Sequence, residues 1–314
     1  MPNDLTADDF LHAPDPADRW WSETYWFSFD DPANNLSCHF YPMVRANLDI
    51  ASLAVMVWGP GQESPWTATY FRTQWHLKAP QFEHNMLGLD HLSYEIVKPM
   101  QQYRVRYDDP GLFTADLMFT ACAEPFAAGG HAANYGHIDQ PMKVQGQIEL
   151  HGKRIDLDCH GMRDRSWGPR SDMQDGSRAL YFYGISDGES FLIMKLLDRD
   201  PPLTIGYLDR EGKRGVIKEA IVRRKDDPLS RIAQISVTAH DEHGRVLEVT
   251  GAAKSHFAMQ ANPHQFAWIS MVNWNDGAML GQFQEVLGRG GLNTLAGEAF
   301  TKLRAEQAGR RKSA

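Results

Sequence analysis

Residues 143–170 read KVQGQIELHGKRIDLDCHGMRDRSWGPR. Val144, Ile148 and Leu150 alternate with Lys143, Gln145, Gln147 and Glu149. The turn His151-Gly152-Lys153 follows, and then Ile155, Leu157 and Cys159 alternate with Asp156, Asp158 and His160. A period of two sends successive side chains to opposite faces, so both runs are half-buried strands joined as a hairpin. The second run leads into GMRDRSWGPR, the densest polar and aromatic stretch of the chain.

The same rhythm recurs on either side. Tyr103, Val105 and Tyr107 alternate with Arg104, Arg106 and Asp108, and Ile235, Val237 and Ala239 with Gln234, Ser236, Thr238 and His240. Ser186-Asp187-Gly188, Asp209 to Gly212 and Asp241 to Gly244 supply turns. Closely spaced hairpins of this kind predict antiparallel sheets that meander, as in a barrel or sandwich. No strand-helix-strand rhythm supports a doubly wound α/β fold. Helical pattern is confined to the C-terminus, where Asn293 is the expected cap and Leu295, Ala299, Phe300 and Leu303 share a side. The Gly/Ala-rich stretch ACAEPFAAGGHAANY, 121–135, reads as a long loop. The expected division is a first β-domain over 15–155, a second over 156–290, and a C-terminal helix with a basic tail over 291–314.

Composition narrows the function classes. The 314 residues are 42% hydrophobic, enough for a real core, and carry a net charge of −8, which argues against a nucleic-acid binder. Arg310, Arg311 and Lys312 form a solvated basic tail. Cys38, Cys122 and Cys159 are odd in number and widely spaced, so no disulfide framework is expected. The acidic N-terminus lacks an apolar signal core, and no apolar run reaches membrane-spanning length. These features predict a cytoplasmic protein without membrane insertion. Aromatic patches leave a homodimer open.

Asp164 lies between Arg163 and Arg165. Salt-bridged, it is a strut or an anchored base; buried away from them, it becomes a general acid. On an unbroken strand Arg163, Arg165 and Trp167 continue the apolar face of Ile155, Leu157 and Cys159, and Asp164 points outward. A bulge or bend near Gly161 is therefore inferred to turn Asp164 inward. An Arg-Asp lattice that simply ties two sheets together is the structural alternative. His137 shares a parity with Asp139 and can serve as a base or donor. Neither His137 with Asp139 nor Asp156, Asp158 and His160 has a recognised three-ligand spacing, so no metal is expected. GRGGLNTLAG, 288–297, fails the dinucleotide context, and no P-loop or G-x-S-x-G occurs. Nine tryptophans, with Trp20, Trp21 and Trp26 crowded near the start, supply core or the walls of an apolar pocket.

Gly161, Arg163, Asp164, Ser166, Trp167, Gly168 and Arg170 form a G-x-R-D-x-S-W-G-x-R signature. With Glu23, Tyr25 and Phe27, the run LSYEIVKPMQQYRVRYDD at 92–109, and His137 with Gln140, it resembles the lipocalin-like superfamily of hydroxyneurosporene synthase (carotenoid 1,2-hydratase) and fungal Diels-Alderases. It is most similar to a bacterial branch of that superfamily. The resemblance implies two tandem calycin-like antiparallel β-barrels with a ligand cavity within or between them. It also implies that Asp164 is a proton donor and Trp167 a cavity wall.

The expected function is therefore a cofactor-independent acid-base enzyme of hydratase, lyase or isomerase type. Its substrate would be a bulky apolar small molecule such as a terpenoid, a steroid or a lignin-derived aromatic. Asp164 would exchange the proton, Arg163 would orient the substrate or stabilise negative charge, and His137 would be a second base or donor. Trp167, Trp26, Tyr25 and Glu23 would contact the substrate. The rival readings are a non-catalytic carrier or sensor of a hydrophobic ligand, and chemistry elsewhere, at Glu285 or Glu23.

Overall fold

The computed structural model describes residues 5–132, 135–169, 178–228, 231–262 and 265–288, with the isolated positions 290, 291, 293, 297, 301 and 304. The first twelve strands are β1 (Trp21–Asp31), β2 (Leu36–Arg45), β3 (Ile50–Trp58), β4 (Tyr70–Lys78), β5 (Phe82–Glu83), β6 (Met86–Leu89), β7 (Leu92–Lys98), β8 (Gln102–Asp109), β9 (Phe113–Ala121), β10 (Phe126–Ala132), β11 (Tyr135–Leu150) and β12 (Lys153–Pro169). They form one antiparallel sheet in the order β4-β3-β2-β1-β12-β11-β9-β8-β7-β6-β5, with β10 paired to β11. The remaining strands are β13 (Arg178–Ile185), β14 (Glu189–Leu196), β15 (Leu203–Arg210), β16 (Lys213–Asp226), β17 (Ile232–Asp241), β18 (Val246–Asn262), β19 (Gln265–Trp274) and β20 (Met279–Gly288). Each pairs with the next, and β20 returns to β13, so this second sheet closes into an eight-stranded barrel. The chain is thus all-β, with two antiparallel sheets in tandem. Closure removes both free edges of the second sheet.

The division between the units lies later than the sequence suggests. β12 pairs with β11 from Lys153 to Trp167 and with β1 from His160 to Pro169. Residues 156–169 therefore belong to the first sheet, and the expected boundary at 155/156 would cut through a hairpin. Alternation marks a strand but not the sheet it joins, and β12 joins strands on both flanks.

Two further expectations are corrected. No bulge interrupts β12, because its register with β1 and β11 runs unbroken through Gly161. Gly161 instead permits close strand packing: a Cβ there would lie 1.9 Å from the Ser28 carbonyl oxygen. The stretch 121–135 is also not simply a loop, since Phe126–Ala132 forms β10 with an irregular register on β11. Its small residues show no alternation, and the long partner strand supplies the order. At the C-terminus the isolated described positions are helical from Gly290 onward, which puts Asn293 inside the helix and not at its cap. Leu295, Ala299, Phe300, Leu303, Arg170 and the basic tail lie outside the described residues.

Four apolar clusters show how the two units are joined. Tyr25, Phe27, Phe29, Ile155, Leu157 and Cys159 belong to the core of the first sheet. Phe182, Phe191, Val237 and Trp274 belong to the core of the barrel. Trp26 and Met162 from the first sheet meet Tyr181, Tyr183, Leu192 and Tyr207 from the barrel, and Met56 and Trp58 meet Phe257 and Ile269. β1 and β12 thus have one face in their own core and the other against the barrel. This is why every residue of β1 is buried.

Candidate functional site

A cavity of about 220 Å³ lies where the first sheet meets the barrel. Trp26, His39, Tyr41, His137 and Asp164 come from the first sheet, and Leu180, Tyr181, Met194, Met259 and Ile269 are among the barrel residues that complete its wall. Asp164 faces it on an unbroken strand. The outward face of β12 is the face that the barrel covers, so no bulge is needed to bring the carboxylate to a cavity.

Asp164 sits directly opposite Asp139 across the β11–β12 ladder. His137 lies two residues before Asp139, on the same face. Its Nε2 is 2.9 Å from Asp139 Oδ2 and 3.6 Å from Asp164 Oδ2. The closer approach is not aligned as a hydrogen bond. Asp139 is fully buried, and its Oδ1 accepts a 2.8 Å bond from the Tyr181 hydroxyl. Burial, and then the negative charge of Asp139 and Asp164, pushes the Tyr181 phenol well up, so it remains a donor. Two carboxylates opposed in a ladder repel one another when both are ionised. The three groups lie within 4.8 Å of one another and are the set, among the described residues, that could hold a metal ion.

A second polar group of the wall is His39, fully buried from bulk solvent. Its Nε2 is 2.9 Å from Gln282 Oε1, and Gln282 Nε2 donates to both oxygens of Asp30, at 3.0 and 3.2 Å. Ser37 donates to Asp30 at 2.6 Å and the Tyr183 hydroxyl at 3.4 Å. Burial raises the Asp30 carboxyl to about 6 against the pull of these donors. Burial likewise lowers the His39 imidazole to about 3, so it is neutral near pH 7.

The other face of β12 is built differently. The buried Arg163 guanidinium pairs with the equally buried Asp9 and lies 4.4 Å over the Tyr103 ring. Asp9 also accepts from Met100 N at 2.7 Å and from the Tyr103 hydroxyl at 2.9 Å. Arg165 pairs with Glu23 and sits 4.1 Å over Tyr25. Burial opposes the charge of Glu23, but Arg165 and His12 override it and hold the carboxyl below its ordinary value. Trp167 stacks on His12 at 4.2 Å.

The structure therefore brings His137, Asp164 and Trp26 to one cavity. Arg163, Trp167, Tyr25 and Glu23 are not among its lining residues. The expectation that Arg163 and Trp167 act in the same pocket as Asp164 is corrected by parity, since odd and even positions of β12 face apart. Glu285 is held by Arg178 at 2.6 Å and Arg224 at 2.8 Å, also outside this wall.

A family model described as a domain of unknown function, DUF7064, matches residues 5–282. The chain belongs to the DUF7064 family. Among curated proteins, none matches it in sequence. Among solved structures the DUF7064 chain is similar to an AttH candidate from Nitrosomonas europaea, with a TM-score of 0.62 at 13% identity over 92% of this chain and 98% of that one. It is also similar to CghA, solved with Sch210972, at 0.60 and 11% over 87% and 90%. A third is kievitone hydratase from Nectria haematococca, at 0.54 and 10% over 90% and 94%. At such identities these likenesses show a shared fold.

Sequence reasoning about the DUF7064 chain paired Asp139 with His137 but gave it no site role, and did not reach Tyr181 or His39. Tyr181 is embedded in the apolar run ALYFYGI and His39 in SCHFYP. The available signal was parity, which puts Tyr181 and Tyr183 on one face and His39 and Tyr41 on another. Choosing between the faces requires knowing that the barrel covers the sheet.

Proposed function

We propose that the chain is a cofactor-independent acid-base enzyme, of hydro-lyase or isomerase type, acting on an apolar small molecule bound between the two sheets. The observation that carries this reading is the placement of Asp164 beside His137 in a wall otherwise rich in Trp26, Tyr181, Leu180, Met194 and Ile269. In such surroundings few polar groups compete with the reacting ones, and proton transfer by positioned side chains is effective.

In the dehydrating direction, Asp164 in its acid form gives its proton to a leaving hydroxyl. The C–O bond breaks and water departs. His137 takes the proton from the adjacent carbon, and the C–H electron pair becomes the new π bond. The proton then returns from His137 Nε2 to Asp164 Oδ2, 3.6 Å away, through one bridging water, which restores both groups. Hydration is the reverse, and an isomerase returns the proton to a different carbon. Asp139, held by Tyr181, is a positioning residue for His137. The hydratase among the structural neighbours supports this class. The volume of about 220 Å³ is below the roughly 300–1,000 Å³ of drug-sized pockets and favours a monoterpenoid or a small lignin-type aromatic over a steroid.

The test is turnover of a panel of terpenoid, steroid and phenolic substrates, read by mass spectrometry, for wild type and Asp164→Asn, with and without a chelator. The expected result is turnover by wild type in both conditions and a loss of about 10²–10⁴-fold in a folded Asn variant. Loss of activity on chelation assigns the His137, Asp139 and Asp164 group to a metal instead. Binding without turnover supports the carrier reading.

A further inference from the structure

We propose that His39 sets the specificity of this cavity: its Nδ1 accepts a hydrogen bond from a ligand hydroxyl, so the site selects a phenol or alcohol over the matching ether or hydrocarbon. This rests on the reading of the intersheet cavity as the ligand site.

Asp30 lies behind His39, on the far side of Gln282. An ionised carboxylate only accepts, so the nitrogen of the Gln282 amide must face it. That orientation turns Gln282 Oε1 toward His39, and Gln284 Nε2 also donates to that oxygen at 3.4 Å. The amide oxygen only accepts, so the hydrogen of the neutral ring is on Nε2. Nδ1 is then an acceptor, and among the described residues it has no hydrogen-bond partner. Trp26 and Trp58 flank the imidazole, each at 4.9 Å and nearly perpendicular, at 81° and 83°. A ring flip would put Cε1 in place of Nε2 and lose this hydrogen bond, and the other tautomer would set a bare nitrogen against Gln282 Oε1, which offers no hydrogen. The tautomer is therefore fixed from behind the wall, by Asp30 through Gln282.

A fixed acceptor discriminates in one direction. A ligand O–H satisfies it, whereas a methoxy group or a C–H leaves it buried and unpaired, and one neutral hydrogen bond is worth about tenfold in affinity. His39 would touch the ligand but exchange no proton, and is thus distinct from His137 and Asp164.

The test measures binding, not turnover. 2-Naphthol, 2-methoxynaphthalene and naphthalene, and the smaller set phenol, anisole and toluene, are titrated calorimetrically against wild type, His39→Phe and His39→Asn, each checked by thermal melt. Wild type should bind the hydroxylated member of a set about tenfold more tightly than the other two. His39→Phe should abolish the preference. His39→Asn, whose amide oxygen can take the place of Nδ1, should restore it. Equal binding of all members by wild type, failure of every probe to bind, or a preference that persists in His39→Phe overturns the proposal. Selective binding with no catalysed reaction keeps this inference and removes the enzyme reading. Turnover without the hydroxyl preference does the opposite.

Discussion

On β12, Arg163, Arg165 and Trp167 face the core of the first sheet, and Met162, Asp164 and Ser166 face the barrel. The first group is sealed: both guanidinium groups are fully buried, each with a carboxylate and an aromatic ring. The second group opens on a cavity, where Asp164 stands beside His137 and across from Asp139. One six-residue stretch thus carries a knot on one side and a candidate acid on the other. The period of two separates them, so the charge of the arginines is spent on Asp9 and Glu23 and not on Asp164.

The largest effect is expected on the sealed side. Removing one partner of a buried ion pair leaves the other charged and unpaired, at a cost of roughly 3–5 kcal/mol. Arg165→Met leaves the buried Glu23 with only His12 and Trp21 as partners among the described residues and removes the ring contact with Tyr25. Its unfolding free energy, from chemical denaturation, should fall by this amount, or the protein should fail to fold. A loss below about 1 kcal/mol would mean that the knot is decorative.

Behind the cavity a subtler effect separates two buried groups. Asp30 has its folded value raised from 3.8 to about 6. The protonated form therefore favours the fold, and this contribution is lost as pH rises from about 4 through 6. His39 has its folded value lowered from 6.5 to about 3, so its contribution is lost as pH falls from about 6.5 toward 3. Between pH 4 and 6 the two slopes oppose one another in the wild type, each at up to about 1.4 kcal/mol per pH unit. His39→Asn should become more stable relative to wild type by about 2–3 kcal/mol as pH is lowered from 6 to 4. Asp30→Asn should lose a similar amount over the same range. Urea titrations at several pH values check both signs, and parallel curves for the three proteins would remove the assigned shifts.

How much of this was readable without coordinates differs between the two faces. The hairpin of β11 and β12, the turns at 186–188 and 241–244, and the common face of Arg163, Arg165 and Trp167 all follow from alternation. The partners of that face do not. Asp8, Asp9 and His12 look like part of an acidic N-terminus, yet Asp9 gives Arg163 its carboxylate, Asp8 gives Arg165 a backbone carbonyl, and His12 stacks on Trp167. Alternation also gave Asp164 its outward direction. What it could not give is what lies outside: the barrel, joined only after Pro169, makes an apparently solvated face into an interface. The inferred bulge at Gly161 was an answer to a problem that tertiary packing had already solved.

Gly161 provides an intermediate test. A Cβ at 1.9 Å from the Ser28 carbonyl oxygen must push β1 and β12 apart. Gly161→Ala should cost about 1–3 kcal/mol, the range of overpacked cores. The displaced register would also move Asp164, so turnover should fall along with stability. A fully stable Ala variant would mean that the strands at this point have room to separate.

The smallest expected change in stability is the one that sharpens the comparison most. Asp164 lies on the cavity wall, partly accessible, across from another carboxylate. Asp164→Asn removes a negative charge from beside Asp139 without changing the size of the side chain. Relief of repulsion and loss of the interaction with His137 act in opposite directions, and opposed cross-strand charges are worth roughly 0.2–1 kcal/mol. The melting temperature should therefore shift by no more than that amount implies, in either direction, while turnover falls by about 10²–10⁴-fold. Arg163→Leu, one position away on the same strand, should show the converse: a large loss of stability through the stranded Asp9. If the two neighbours destabilise equally, the strand has one role on both faces, and GMRDRSWGPR is a structural knot throughout. If they separate as described, the boundary between architecture and chemistry runs through the backbone of β12 itself.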